Sequence, residues 1–120
     1  MLNFYIGWDS READAYNVCL HTLKKHTTIN CTVLPLKTQE LAELNFYNKR
    51  QEQDASTEFT YTRFLVPFLN NYKGWALFCD CDFLFLRDIK ELLHDIFIAN
   101  KGDMTKAVYV AQHDYEPKKI

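Results

Sequence analysis

Trp75-Ala76-Leu77-Phe78-Cys79 carries no polar side chain and stops abruptly at Asp80. An uninterrupted apolar run of this kind is expected of a central parallel strand covered on both faces. The rest of the chain supplies elements to surround it. Residues 2–8 form an apolar first strand ending at Asp9, where Asp9 or Ser10 can cap a helix with Glu12 completing a capping box. Ala13, Tyr16, Leu20 and Leu23 then recur at helical spacing, with Lys24, Lys25 and His26 in the last turn. Residues 31–36 suggest a second strand, with Pro35 near its end or edge. The polar stretch Asn48 to Asp54 reads as a surface loop. Ser56 and Thr57 open a second helix carrying Phe59, Arg63, Val66 and Leu69, which Pro67 kinks or ends. Asp88 with Glu91 opens a third, with Ile89, Leu92, Leu93 and Ile96 inward. A last strand runs from Ala107 to Ala111. The order β-α-β-α-β-α-β predicts an α/β fold: a three-layer α/β/α sandwich with a mostly parallel sheet and the 75–79 strand at its centre.

Ligands of such sheets bind beyond the carboxyl ends of the strands. Three of the four expected strands end in acids or a histidine: Asp9, Asp80 with Asp82, and His113 with Asp114. Asp80-Cys81-Asp82 sets two carboxylates close together where a buried strand runs out. Hard oxygen ligands in that position suit Mg²⁺ or Mn²⁺ shared with substrate phosphates. A divalent ion there could neutralise a diphosphate and stabilise it as a leaving group. The plainer reading of the same triplet is a turn followed by an acid approaching a helix.

Composition narrows the partners. The 120 residues suit one small domain, and 48% hydrophobic content is ample for a packed core. A net charge of -2 with scattered Lys and Arg gives no basic face, so nucleic acid is not expected as a partner. No apolar run approaches the ~20 residues of a membrane span, and the first residues lack the basic region and cleavage site of a signal peptide. Cys19, Cys31, Cys79 and Cys81 fit neither a disulfide framework nor a zinc spacing, so they are read as four reduced thiols in the cytoplasm. The Asn30-Cys31-Thr32 sequon would matter only in a secreted chain.

The segment from Trp75 to Leu86 resembles the Asp-x-Asp region of bacterial glycosyltransferases of the GT-A (nucleotide-diphospho-sugar transferase) fold related to glycosyltransferase family 8. Ser56 to Pro67 is similar to the helix that precedes it there, and Phe4-Tyr5-Ile6-Gly7-Trp8-Asp9 to the first strand under the nucleotide base. The matches occur in order over nearly the whole chain. The resemblance implies a hexosyl transfer from a nucleotide-diphosphate-sugar, a UDP-sugar first among candidates, to a sugar or glycan acceptor. It implies Mn²⁺ or Mg²⁺ on Asp80 and Asp82. It places Gly7, Trp8 and Asp9 beside base and ribose, and Tyr61, Arg63, Asp80 and Cys81 against the donor, with Arg63 offering a fixed charge to phosphates or sugar. His113 and Asp114 are the remaining candidates at a strand end. Enzymes of this fold are longer, and their later half supplies the acceptor pocket and usually a histidine metal ligand. The chain is therefore expected to be an incomplete, donor-binding portion with no assigned catalytic residue.

Plainer roles stand beside these. Arg63 could form a helix-surface ion pair with Glu58 or Asp88, Trp8 and Tyr61 could be core aromatics, and His113 could be structural. Two other functions remain open. A haloacid-dehalogenase-like phosphatase also ends an apolar strand in Asp-x-Asp, although there small residues follow, where this chain has Phe83-Leu84. A non-catalytic nucleotide-sugar-binding or assembly module would expose a sheet edge inviting a homodimer.

Overall fold

The computed structural model describes residues 2–47, 55–112 and 114–118. Three strands, β1 (Leu2–Gly7), β2 (Cys31–Leu36) and β3 (Ala76–Cys79), form a parallel sheet in the order β2-β1-β3. Register places Ile6 opposite Cys79 on one side and Pro35 on the other. Over the described residues the chain is thus an α/β domain with a three-stranded parallel sheet. The expected central position belongs to β1, not to the 75–79 run. Phe4, Tyr5, Ile6 and Gly7 are buried in succession, whereas Ala76, Leu77 and Phe78 are only half-buried. Among the described residues β3 has a neighbour on one side only, so its apolar side chains are less enclosed than an inner strand's.

Side chains alternate across β1 and seed a core on each face. Phe4 and Ile6 pack with Tyr16, Cys19 and Leu23 of α1 (Ala13–His26) and with Ile89 of α4 (Ile89–Ala99). Tyr5 packs instead with Leu36, with Leu41 of α2 (Thr38–Glu43) and with Val66 of α3 (Val66–Leu69). Helices therefore cover both faces. None of them is long and apolar enough to cross a membrane among the described residues.

Several expected elements differ. The 56–67 helix is instead a series of turns, a 3-10 helix (Thr62–Leu65) and the short α3. Pro67 lies in the first turn of α3 and starts it, because the amide it lacks has no helical partner at that position. The turn ends at Asn71 (φ 56°), where the Tyr72 amide donates back to the Pro67 carbonyl and the Asn71 amide to Phe68. Asn45 (φ 60°) and Lys101 (φ 52°) close α2 and α4 with the same pair of bonds. The expected 107–111 strand is irregular backbone, with Val108 73% and Val110 82% exposed. Its alternation finds no ladder partner among the described residues, and the segment is held through Tyr109, whose ring stacks on Trp75 at 5.4 Å. Ile89 is buried as expected, but Leu92 is exposed. Asp88 does cap α4, accepting from the Lys90 amide, while Glu91 pairs with Arg87 rather than reaching back. The expected loop at Asn48–Asp54 lies outside the described residues.

Candidate functional site

Because β1 and β3 are parallel and adjacent, Asp9 and Asp80 emerge from the same end of the sheet. Their surroundings then separate them. Asp9 is 1% exposed and caps a 3-10 turn (Ser10–Glu12) by accepting from the Arg11 amide at 2.9 Å. Arg11 Nε and Nη2 grip both of its oxygens at 3.0 and 2.7 Å, and the Glu58 amide adds a bond at 3.2 Å. The Arg11 side chain, helped by the two amides against the opposing effect of burial, lowers the Asp9 carboxyl to about 2. This carboxylate is charged at neutral pH and fully engaged within the protein. The Glu58 side chain in turn accepts from the Ser10 amide at 3.0 Å and from the Ser10 hydroxyl. A loop 48 residues away is thereby fastened to the end of β1.

Asp80 and Asp82 are not consumed in this way. Arg63 Nη1 lies 3.4 Å from Asp80 Oδ1, with the two side chains 33% and 40% exposed. Asp82 is exposed, and no described residue donates a hydrogen bond to it. Arg63 is held from behind: its Nε donates to the Phe59 carbonyl at 3.4 Å, and its guanidinium carbon sits 5.4 and 5.3 Å from the Phe59 and Phe78 ring centres. Those rings are 6.3 Å apart. Gly7 makes the arrangement possible, since a Cβ there would lie 2.6 Å from the Phe59 ring. Its place in the site is thus to let Phe59 down onto β1.

Trp8 continues β1, its amide donating to the Leu36 carbonyl at 3.3 Å. The half-buried ring meets Tyr16 edge-on at 5.0 Å and carries Lys37 Nζ at 4.7 Å from its centre. Cys81 points inward, fully buried, and its Sγ donates to Glu12 Oε2 at 3.3 Å. Glu12 therefore meets a thiol instead of completing the expected capping box. Burial, and then the Glu12 carboxylate, push the Cys81 thiol up to about 12. Tyr61 is exposed, Asp114 lies exposed in irregular backbone, and His113 lies outside the described residues. Among the described residues no three His, Cys, Asp or Glu side chains converge on a point that could hold a metal ion. Sequence reasoning missed Lys37, Arg11 and the buried threonine pair, Thr38 with Thr62, that seats the 3-10 turn bearing Arg63. Arg11 alone had a local signal, two residues after Asp9.

Comparison with known proteins adds one relationship. Protein CDI of Arabidopsis thaliana is 43% identical to this chain over 114 residues, covering 95% of the chain and 42% of that protein. The chain therefore spans less than half the length of this curated relative. No protein-family model matches the chain, and no solved structure matches it.

Proposed function

We propose that the chain is the donor-binding portion of a divalent-cation-dependent glycosyltransferase with the GT-A fold. The observation that carries the reading is the pair Arg63–Asp80 at the carboxyl end of β3, with the exposed Asp82 two residues further on. The two aspartates fit a small hard cation. Mg²⁺ typically takes one or two protein carboxylates and fills its remaining positions with water and substrate phosphate, so a third protein ligand is not required. Asp80 and Asp82 would hold Mn²⁺ or Mg²⁺, which when bound supplies charge neutralisation to a departing nucleotide diphosphate. Arg63 adds a fixed cation on the same side, held by two rings and a carbonyl so that little order is lost on meeting an anion. Trp8 and Lys37, just past the ends of β1 and β2, offer an aromatic ring and a hydrogen-bond donor for the nucleoside part. Asp9 orders the loop that brings Glu58, Phe59 and Arg63 to the site.

Thermal melts test the reading. UDP at ~100 times its Kd adds about 2.7 kcal/mol to the stability of a protein that binds it. That gain is expected only with Mn²⁺ present, and it is expected to vanish in Asp82→Asn while the apo melt stays unchanged. Equal gains in wild type and variant, or gains that survive EDTA, would reduce the aspartate pair to a strand end.

A further inference from the structure

From the placement of Arg63 we infer a coupling device: Arg63 makes cation binding at Asp80 and Asp82 conditional on a diphosphate-bearing ligand. The inference rests on the functional reading above and assigns this residue a task beyond contact with the donor.

The geometry sets up the conflict. Arg63 Nη1 comes no nearer to Asp80 Oδ1 than 3.4 Å, longer than the 2.7–2.9 Å of a strong charge-assisted bond. The guanidinium rests on Phe59 and Phe78, and its Nε donates to the Phe59 carbonyl, which together orient it toward the site. Phe59 is itself 1% exposed and seated on Gly7, and the half-buried Phe78 packs against the same core. A divalent cation on Asp80 therefore shares its carboxylate with a tethered positive charge. In a partly buried setting, like charges a few ångströms apart repel appreciably, while Asp82 alone is exposed and well screened. A diphosphate resolves the conflict by bringing negative oxygens to both cations at once. The cation and the diphosphate then each strengthen the other's binding by the same factor, as linkage requires. Without a nucleotide, Arg63 keeps Asp80 neutralised and the site poor in metal.

Direct titration of Mn²⁺, followed by the electron paramagnetic resonance signal of the free ion, tests this with the full chain, with and without UDP. Arg63→Gln is expected to bind Mn²⁺ alone about tenfold more tightly than wild type and to lose most of the enhancement by UDP. Arg63→Lys keeps the charge and is expected to bind Mn²⁺ alone as weakly as wild type, which separates charge from packing if the glutamine variant is unstable. Unchanged or weaker Mn²⁺ binding by Arg63→Gln, with Asp82→Asn still abolishing binding, would overturn the coupling and leave the metal site standing. Should Asp82→Asn bind Mn²⁺ as wild type does, the functional reading falls, and the coupling with it.

Discussion

Gly7 shows how much one missing methyl group decides. A Cβ at this position meets three Phe59 ring atoms at 2.6–2.8 Å, and the ring has no solvent to retreat into. Gly7→Ala is expected to cost about 1–3 kcal/mol, as overpacked cores do, measured as a lower urea midpoint. It should also loosen Arg63 and so, on the proposed function, weaken UDP binding. Asp9 acts through charge. Its folded-state carboxyl titrates near 2 against an ordinary 3.8, so its contribution, about 2 kcal/mol, is complete above pH 5 and is lost as pH falls through 4 toward 2. The stability gap between wild type and Asp9→Asn should therefore close over that range, while a gap constant with pH would contradict the account. The thiols divide by enclosure. The hydrogen bond to Cys19, and then burial, raise Cys79, and Cys81 is raised to about 12, while half-buried Cys31 is raised by burial alone. All four cysteines are free, as the sequence led us to expect. A thiol reagent at pH 8 should label Cys31 first, and mapping by mass spectrometry should find Cys79 and Cys81 labelled only in denaturant. At this scale the two acidic strand ends were legible because apolar runs stop visibly at them. The partner of Arg63 was not. The sequence offered Glu58 or Asp88, yet the pair is with Asp80, since only the packing of Phe59 against β1 decides where the guanidinium lands.

Elements were legible where period and ends agreed. The first two strands, α1 and α4 have long, consistent patterns, and the structure places them within a residue or two of expectation. Misreadings concentrate where a helix is too short to show a period. The six residues of α2 and the four of α3 each end on a left-handed residue other than glycine, so the usual stop signal is missing from Asn45 and Asn71. Lys101 does the same for α4, followed by Gly102 at φ 79°. Since a left-handed conformation costs a side-chain-bearing residue about 1–2 kcal/mol, part of which glycine's extra freedom in the unfolded chain takes back, Lys101→Gly should raise stability by about 0.5–1 kcal/mol. Calorimetry finding no change or a loss would mean that α4 ends differently. The 107–111 run failed for another reason. Alternating valines describe a strand only when a neighbour offers a ladder, and here the segment makes its bonds at the Tyr109 hydroxyl, which accepts from the Lys106 amide and donates to the Asp103 carbonyl.

At the scale of the whole molecule, a parallel sheet with helices on both faces gathers the carboxyl ends of β1 and β3 and exposes two aspartates beside a tethered arginine. The α/β class followed from the alternation of elements. Which strand is central did not, because an apolar run reports how its side chains are covered and not how many neighbours its backbone has. The site's division of labour was also hidden: Asp9 and Asp80 look alike as strand-ending acids, and the neighbouring Arg11 with the distant Glu58 amide engages the first, while the second meets only Arg63 among the described residues. On the proposed function, Asp80 and Asp82 bind a nucleotide diphosphate through a divalent cation. Isothermal titration of UDP into the protein measures this most directly. Saturable binding with Mn²⁺, lost on adding EDTA and in Asp82→Asn, is the predicted result; binding of equal affinity with and without the cation, or in the variant, would contradict it.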